Sequence, residues 1–452
     1  MSTPATGDHQ SPAHPGADHI TPYDRFVWED EEIEGLLASG EQREELEAFF
    51  GRKEYRELAR LAGVARRAPI ADAYPTLIVP GIMGSQLGIP RPAPQPRDIL
   101  WLDPVDIGFG RLSELALPGA VRVRPYGIVL YSYLRLKLHL RAVGMRALFH
   151  AYDWRLGVDM LGHELAQRLR AEPSAKVALV AHSMGGIVSR AALAHPGGEK
   201  VARLVLLGSP NFGSYAPVLA LRGCYSVVRK IAQLDLQHTP EALSSAVFNT
   251  FPSLYHMLPH AGLSGTLDLL DPKVWPRARP QPVPALLESA RSVQRALPPL
   301  DARCLAVVGV GAETVTAVQR RGDEFVYTVT RHGDGTVPVA SARLPGGRNF
   351  HAAVSHSELS RDRTIAAAVV DLLRTGSTRR LRPQWCTTSA AQARISDREL
   401  NRRHIDKVDW AHLTSEQRRV FLENLNEPPK LRLRIPARAR RHAGLRARSS
   451  GL

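Results

Sequence analysis

Apolar positions along this chain fall into two alternating kinds of run. PTLIVP (75–80), ALFHAY (147–152), KVALVAH (176–182), RLVLLGS (203–209) and RCLAVVGVG (303–311) are short, rich in Val, Ile and Leu, and poor in charge. That pattern predicts strands buried on both faces. LYSYLRLKLHLRAVG (130–144), VDMLGHELAQRLRA (158–171) and GGIVSRAALAHP (185–196) lie between them and carry their apolar residues at helical spacing. Strand and helix in alternation predict an α/β fold, a mostly parallel sheet flanked by helices. Residues 211–300 break the rhythm with prolines, scattered aromatics and helical fragments at 225–237, 251–259 and 284–297, and read as a cap inserted over the sheet. TVTAVQRRGDEFVYTVT (314–330) reads as a hairpin turning at Arg321, Gly322 and Asp323.

The two ends follow other patterns. Residues 1–23 are rich in Pro, His, Gly and Ala and predict disorder. Residues 24–71 form an acidic extension. Ile33, Leu36 and Leu37, then Leu46, Phe49 and Phe50, then Leu58 and Leu61 predict two short amphipathic helices that pack on the body or on a protein partner. The α/β pattern occupies residues 72–376. Beyond it, 397–425 reads as one or two helices, with Thr414 and Gln417 spaced as a capping box. The last 25 residues read as flexible. This tail is expected to be an appendage, so a chain ending near residue 376 should keep its function.

Composition narrows the class. The chain has 452 residues, 44 % hydrophobic and 23 % charged. These values suit a folded globular protein and exclude collagen, a wholly disordered chain and a polytopic membrane protein. The net charge of +15 is concentrated at the end, where residues 377–452 hold 18 Lys and Arg against 7 Asp and Glu. Such a tail suits peripheral contact with an anionic membrane. The last 25 residues lack interleaved aromatics, which argues against specific nucleic-acid binding. Cys224, Cys304 and Cys386 are odd in number and widely spaced, and suggest neither a zinc site nor a disulfide framework. The first residues have no basic lead and no apolar core, and no apolar run reaches bilayer length, so a cytoplasmic protein is expected.

The chemistry begins at VALVAHSMGGIVSRAAL. A buried strand ends at Ala181-His182-Ser183-Met184-Gly185 and a helix starts at once, which is the G-x-S-x-G elbow with Ala in the first position. Small residues are needed because the turn brings backbones together, and the serine is left exposed above the sheet. A hydroxyl needs a general base, and the base an orienting acid. Asp334, between two glycines in GDGTVP, is the candidate acid. His356 falls in a loop before the last amphipathic helix, where a base can reach the serine; His351 is the alternative, and His332 precedes the acid. His182 is expected to pack in the elbow. Two N–H donors are required for the oxyanion. Met184, at the helix start, is one; Ile82, in the loop opened by Pro80-Gly81, is the other, with Met83 next.

PTLIVPGIMGSQL, ILWLDP, LFHAYDWRL, AHSMGG, LLGSPNFGS, FPSLYHMLP and GDGTVP occur in this order and together resemble the lecithin:cholesterol acyltransferase family of α/β-hydrolases. The resemblance spans about residues 72–375. It implies a Ser–Asp–His triad at Ser183, Asp334 and His356, and oxyanion donors at Ile82 and Met184. The implied activity is serine-dependent lipid acyl hydrolysis or O-acyl transfer on a lipid or other acyl ester, without metal or organic cofactor. A small-ester carboxylesterase and a catalytically silent interaction module are the alternatives. The chain departs from secreted members in having no matching cysteine pair. In Tyr152-Asp153-Trp154-Arg155, an Asp153–Arg155 ion pair is expected to steady a loop near the pocket, with Trp154 either lining an acyl site or serving as scaffold.

Overall fold

Strands with apolar residues on both faces need cover on both sides, and the molecule supplies it. The computed structural model describes residues 30–71, 74–260, 263, 267–385, 392–402, 406–425 and 427. Its strands are β1 (Thr76–Val79), β2 (Ser85–Ile89), β3 (Asp98–Trp101), β4 (Arg124–Ile128), β5 (Ala147–Phe149), β6 (Val177–His182), β7 (Val201–Leu207), β8 (Cys304–Gly309), β9 (Thr314–Arg321), β10 (Glu324–Thr330), β11 (Arg348–Ala352) and β12 (Ala393–Ser396). The central sheet runs β11-β8-β7-β6-β1-β5 with every pair parallel. Successive residues feed opposite cores. Leu77 and Val79 join one apolar cluster with the helices Val158–Ala171 and Met184–Ala192. Ile78 joins the other with Leu130–Ala142 and Arg363–Thr375. The mostly parallel sheet flanked by helices is therefore present as the pattern predicts.

Between β7 and β8 the chain leaves the sheet. The helices Ala216–Leu221, Ser226–Leu234, Pro240–Ala246 and Pro252–His256 occupy the segment expected as a cap and join the apolar cluster that holds Leu179 of β6 and Leu206 of β7. Two small antiparallel sheets flank the body, β3-β2-β4 and β12-β10-β9. The hairpin β9–β10 turns at Gly322 and Asp323, with Arg321 paired to Glu324.

The acidic extension holds three helices where the spacing predicts two: Asp30–Ser39, Arg43–Phe50 and Arg52–Arg67. The extra break is a single residue, Gly51, at φ 80°. A left-handed glycine lets one helix end and the next begin with no loop between them. Ile33, Leu37, Leu46, Phe50 and Leu58 pack together against Leu134 and Leu138 of the helix Leu130–Ala142. Glu34 pairs with Lys137 at 2.7 Å and Arg141 at 3.0 Å, so part of the acidic surface is matched by bases of the body.

The described residues beyond 376 are woven into the body, contrary to the expectation of an appendage. β12 extends the β9–β10 hairpin, and Asp397 accepts from the buried Arg222 of the cap at 2.8 Å. Lys407 Nζ donates to the carbonyls of Ala232 and His238. Two helices, Asp397–Arg402 and Ser415–Glu423, follow, the second opened by the Thr414–Gln417 capping box. Residues 1–23, the last 25 residues and Cys386 lie outside the described residues. Among those described, Cys224 and Cys304 are buried free thiols. No helix among them is long and apolar enough to cross a membrane.

Candidate active site

β6 delivers Ser183 to the rim of the sheet. Its N–H donates to the Leu207 carbonyl at 2.9 Å, its carbonyl accepts from Gly186 at 3.0 Å, and the helix starts at Met184. Ser183 sits at φ 54° and ψ −127°, a strained backbone for a residue with a side chain. The small neighbours follow from this packing. A Cβ on Gly185 would stand 2.4 Å from the Pro80 carbonyl oxygen, and one on Gly81 would stand 2.8 Å from Ser183 Cβ.

The three side chains singled out by sequence meet. Ser183 Oγ lies 2.9 Å from His356 Nε2, and His356 Nδ1 lies 2.8 Å from Asp334 Oδ2. A carboxylate only accepts, so Nδ1 carries the proton and Nε2 presents a lone pair to the serine hydroxyl. Asp334 is fixed by its own turn, with Oδ1 accepting from the N–H of Thr336 at 2.9 Å and Val337 at 2.7 Å. His356 N–H donates to the Asp334 carbonyl at 2.9 Å, which ties the two loops through backbone as well.

The other histidines are accounted for. His351 lies on β11 and is bound at N–H and Nδ1 to the Arg382 carbonyl. His332 is exposed, just before Asp334 in the chain. His182 packs behind the serine, between Tyr133 Oη and the His356 carbonyl, both at 2.9 Å. Burial pushes its pKa down to about 3.

The loop after β1 passes beside Ser183 and is clamped by aromatic side chains. Tyr152 Oη donates to the Pro80 carbonyl at 2.6 Å, Trp101 Nε1 to that of Met83 at 2.9 Å and Trp154 Nε1 to that of Ser85 at 3.0 Å. The N–H groups of Ile82 and Met184 donate to no acceptor among the described residues. Trp154 is thus scaffold, fully buried between Trp101 and Phe251, and does not line the pocket. Asp153 and Arg155 form a buried pair at 2.7 Å, with Arg155 also donating to the Leu115 carbonyl.

Above Ser183 lies a cavity of about 90 Å³, walled by Ala216, Pro217, Val227, Val228, Phe248, Leu254 and Met257 of the cap. Sequence reasoning missed these wall residues and Tyr133 as members of the site. A larger groove of about 830 Å³ lies between the helices Arg43–Phe50 and Ser415–Glu423, and no histidine lines it among the described residues. A hydrogen-bonded hydroxyl, imidazole and carboxylate beside free N–H groups can attack an acyl carbon, relay a proton and hold an oxyanion.

A family model described as the PGAP1-like alpha/beta domain matches residues 159–249. No curated protein matches the sequence. Among solved structures, the Tle4–Tli4 complex is similar at 15 % identity over 68 % of this chain and 99 % of that one, with a TM-score of 0.47. The Bacillus licheniformis lipase BlEst2 in its propeptide form is similar at 16 % identity over 72 % and 54 %, with a TM-score of 0.38. Phospholipase PlaB from Legionella pneumophila is similar at 12 % over 60 % and 46 %, with a TM-score of 0.28. The matched family model is an alpha/beta domain and does not carry the acyltransferase part of the sequence resemblance. With its parallel sheet, its strand–serine–helix turn and the matched domain spanning that turn, the chain folds as an α/β-hydrolase.

Proposed function

We propose that this protein is a serine-dependent acyl hydrolase of lipid esters, working through Ser183, His356 and Asp334. The observation that carries the reading is the unbroken hydrogen-bonded chain from Ser183 Oγ through His356 to Asp334, at the floor of an apolar pocket. Ser183 Oγ attacks the ester carbonyl carbon while His356 Nε2 takes its proton. Asp334 holds Nδ1–H and stabilises the imidazolium. The carbonyl oxygen becomes an oxyanion held by the N–H groups of Ile82 and Met184, the latter at a helix N-terminus where partial positive charge favours an anion. His356 returns the proton to the leaving alcohol, and an acyl-enzyme remains. Water then completes hydrolysis; a second alcohol completes O-acyl transfer, the outcome implied by the lecithin:cholesterol acyltransferase resemblance. The Arg-rich end of the chain would bring the pocket to an anionic lipid surface.

The small cavity favours a second reading, a carboxylesterase for short acyl groups. About 90 Å³ falls below the roughly 300–1,000 Å³ of drug-sized ligand sites. A chain-length series of p-nitrophenyl esters, with and without anionic vesicles, decides. The lipid reading expects long acyl chains and vesicles to raise turnover, and Ser183→Ala to abolish it. A wide preference for acetate with no vesicle effect replaces it with the carboxylesterase. Turnover by Ser183→Ala at the wild-type rate ends both.

A further inference from the structure

We propose that His182 and Tyr133 are positioning residues that lock the oxyanion loop and the base loop to one another across the elbow. The inference rests on the Ser183–His356 reading above and concerns two side chains which that reading leaves unused.

Three hydrogen bonds form one chain. Gly81 N–H donates to Tyr133 Oη at 2.9 Å, Tyr133 Oη meets His182 Nδ1 at 2.9 Å, and His182 Nε2 meets the His356 carbonyl oxygen at 2.9 Å. The carbonyl only accepts, so Nε2 carries the proton. In the neutral ring Nδ1 then accepts from the tyrosine hydroxyl, whose oxygen accepts from Gly81. Every polar atom is satisfied in that one state. A second ring proton would face the hydroxyl with donors from both sides and leave the phenolic hydrogen without an acceptor. The rings of Tyr133 and His356 stand over His182 with centroids 5.7 and 4.8 Å away, and its burial resists charge as well.

The chain grips the reactive groups from behind. The Gly81 carbonyl accepts from Gly84 N–H at 3.1 Å, closing a turn. A trans peptide points its N–H away from its carbonyl, so the Ile82 N–H leaves that turn on the opposite side. Tyr133 holds the preceding peptide plane, and with it the aim of Ile82. At the other end, His182 holds the carbonyl of His356 while Asp334 holds its N–H. Neither His182 nor Tyr133 needs to touch the ester. Tyr133 also rides on the helix whose Leu134 and Leu138 are covered by the N-terminal helices, so the acidic extension backs the helix that aims the loop.

The test compares Tyr133→Phe and His182→Gln with wild type. Gln keeps a donor in reach of the His356 carbonyl but gives Tyr133 no acceptor at the Nδ1 position. Each variant should lower kcat about 10- to 100-fold. KM should stay within about twofold, and the Ki of an alkyl boronic acid, which mimics the oxyanion, should rise in step with the loss in kcat. The double variant should be no worse than the worse single one, since both break the same chain. Unchanged kcat and boronate affinity in Tyr133→Phe overturn the proposal, as do additive losses. Should either variant fail to fold, ring-nitrogen NMR of histidine-labelled wild type decides. A neutral Nε2–H ring for His182 from pH 5 to 8 supports the proposal, and an Nδ1–H ring or a charged one overturns it. Ser183→Ala in the same assay keeps the two readings apart: its inactivity upholds the nucleophile whatever Tyr133 does.

Discussion

Asp334 and Asp397 are equally sealed, each 1 % exposed, with Asp397 bonded to the start of β10 and Asp334 just beyond its end. Asp397 joins cap to tail. Its oxygens accept from Arg222, from Tyr327 Oη at 2.6 Å and from Phe325 N–H, while Arg222 also donates to the Pro276 carbonyl. Burial pushes the Tyr327 hydroxyl well above its ordinary value. Asp334 faces an imidazole, the side chain whose ordinary pKa lies nearest neutrality, and that imidazole reaches a hydroxyl at a cavity. Burial of a charge therefore does not by itself mark a site. What separates the two is a partner that can change its protonation state and a path to substrate.

Exchanging the two carboxylates' fates is the strongest way to break this comparison. Asp334→Asn should keep the turn bonds at Oδ1 but turn an amide donor toward Nδ1, forcing the wrong imidazole tautomer. A loss of about 10⁴-fold in kcat is expected with the thermal midpoint nearly unchanged. Asp397→Ala should do the reverse, leaving Arg222 buried and unpaired at a cost of about 3–5 kcal/mol in urea unfolding. Turnover per folded molecule should stay near wild type. Comparable losses of turnover in both variants would dissolve the distinction.

Ending the chain after residue 376 removes β12 and Asp397 together and should leave little folded protein by circular dichroism, because the hairpin loses its third strand and Arg222 its partner. Full activity of that truncated chain would restore the tail to an appendage. A smaller effect is expected at the rival base. His351→Ala should retain most turnover, whereas His356→Ala should abolish it.

Much of this was legible because the deciding patterns are local. Strands buried on both faces read as unbroken apolar runs, and the helix over 158–171 falls where its spacing predicts. Ser183 is marked by its own neighbours, Asp334 by two glycines and His356 by the loop between a strand and a helix. The remainder depends on partners far along the chain. ARIS is too short to read as a strand without β10 beside it. Arg222 and Asp397 stand 175 residues apart, and Tyr133 and His182 stand 49 apart, so no spacing announces either pair. The break at Gly51 was hidden because a one-residue joint leaves no loop to see.

A separate effect is expected on stability against acid. Burial holds His150 and His182 at about 3 and His256 at about 4, below the usual value near 6.5. The unfolded chain takes up those protons first, so the stability is intact above about pH 6.5 and declines as pH falls toward 4. The urea midpoint should drop between pH 7.5 and 5, equally in wild type and Asp334→Asn; a flat midpoint would show these rings protonated or exposed in the folded state.

The most direct test of the central claim is to treat the folded protein with a fluorophosphonate and locate the adduct by peptide mass spectrometry. One adduct per chain is predicted, on the peptide carrying Ser183, absent in Ser183→Ala and slowed in Asp334→Asn. A folded wild type that takes no label, or a label on another residue that persists in Ser183→Ala, would contradict it.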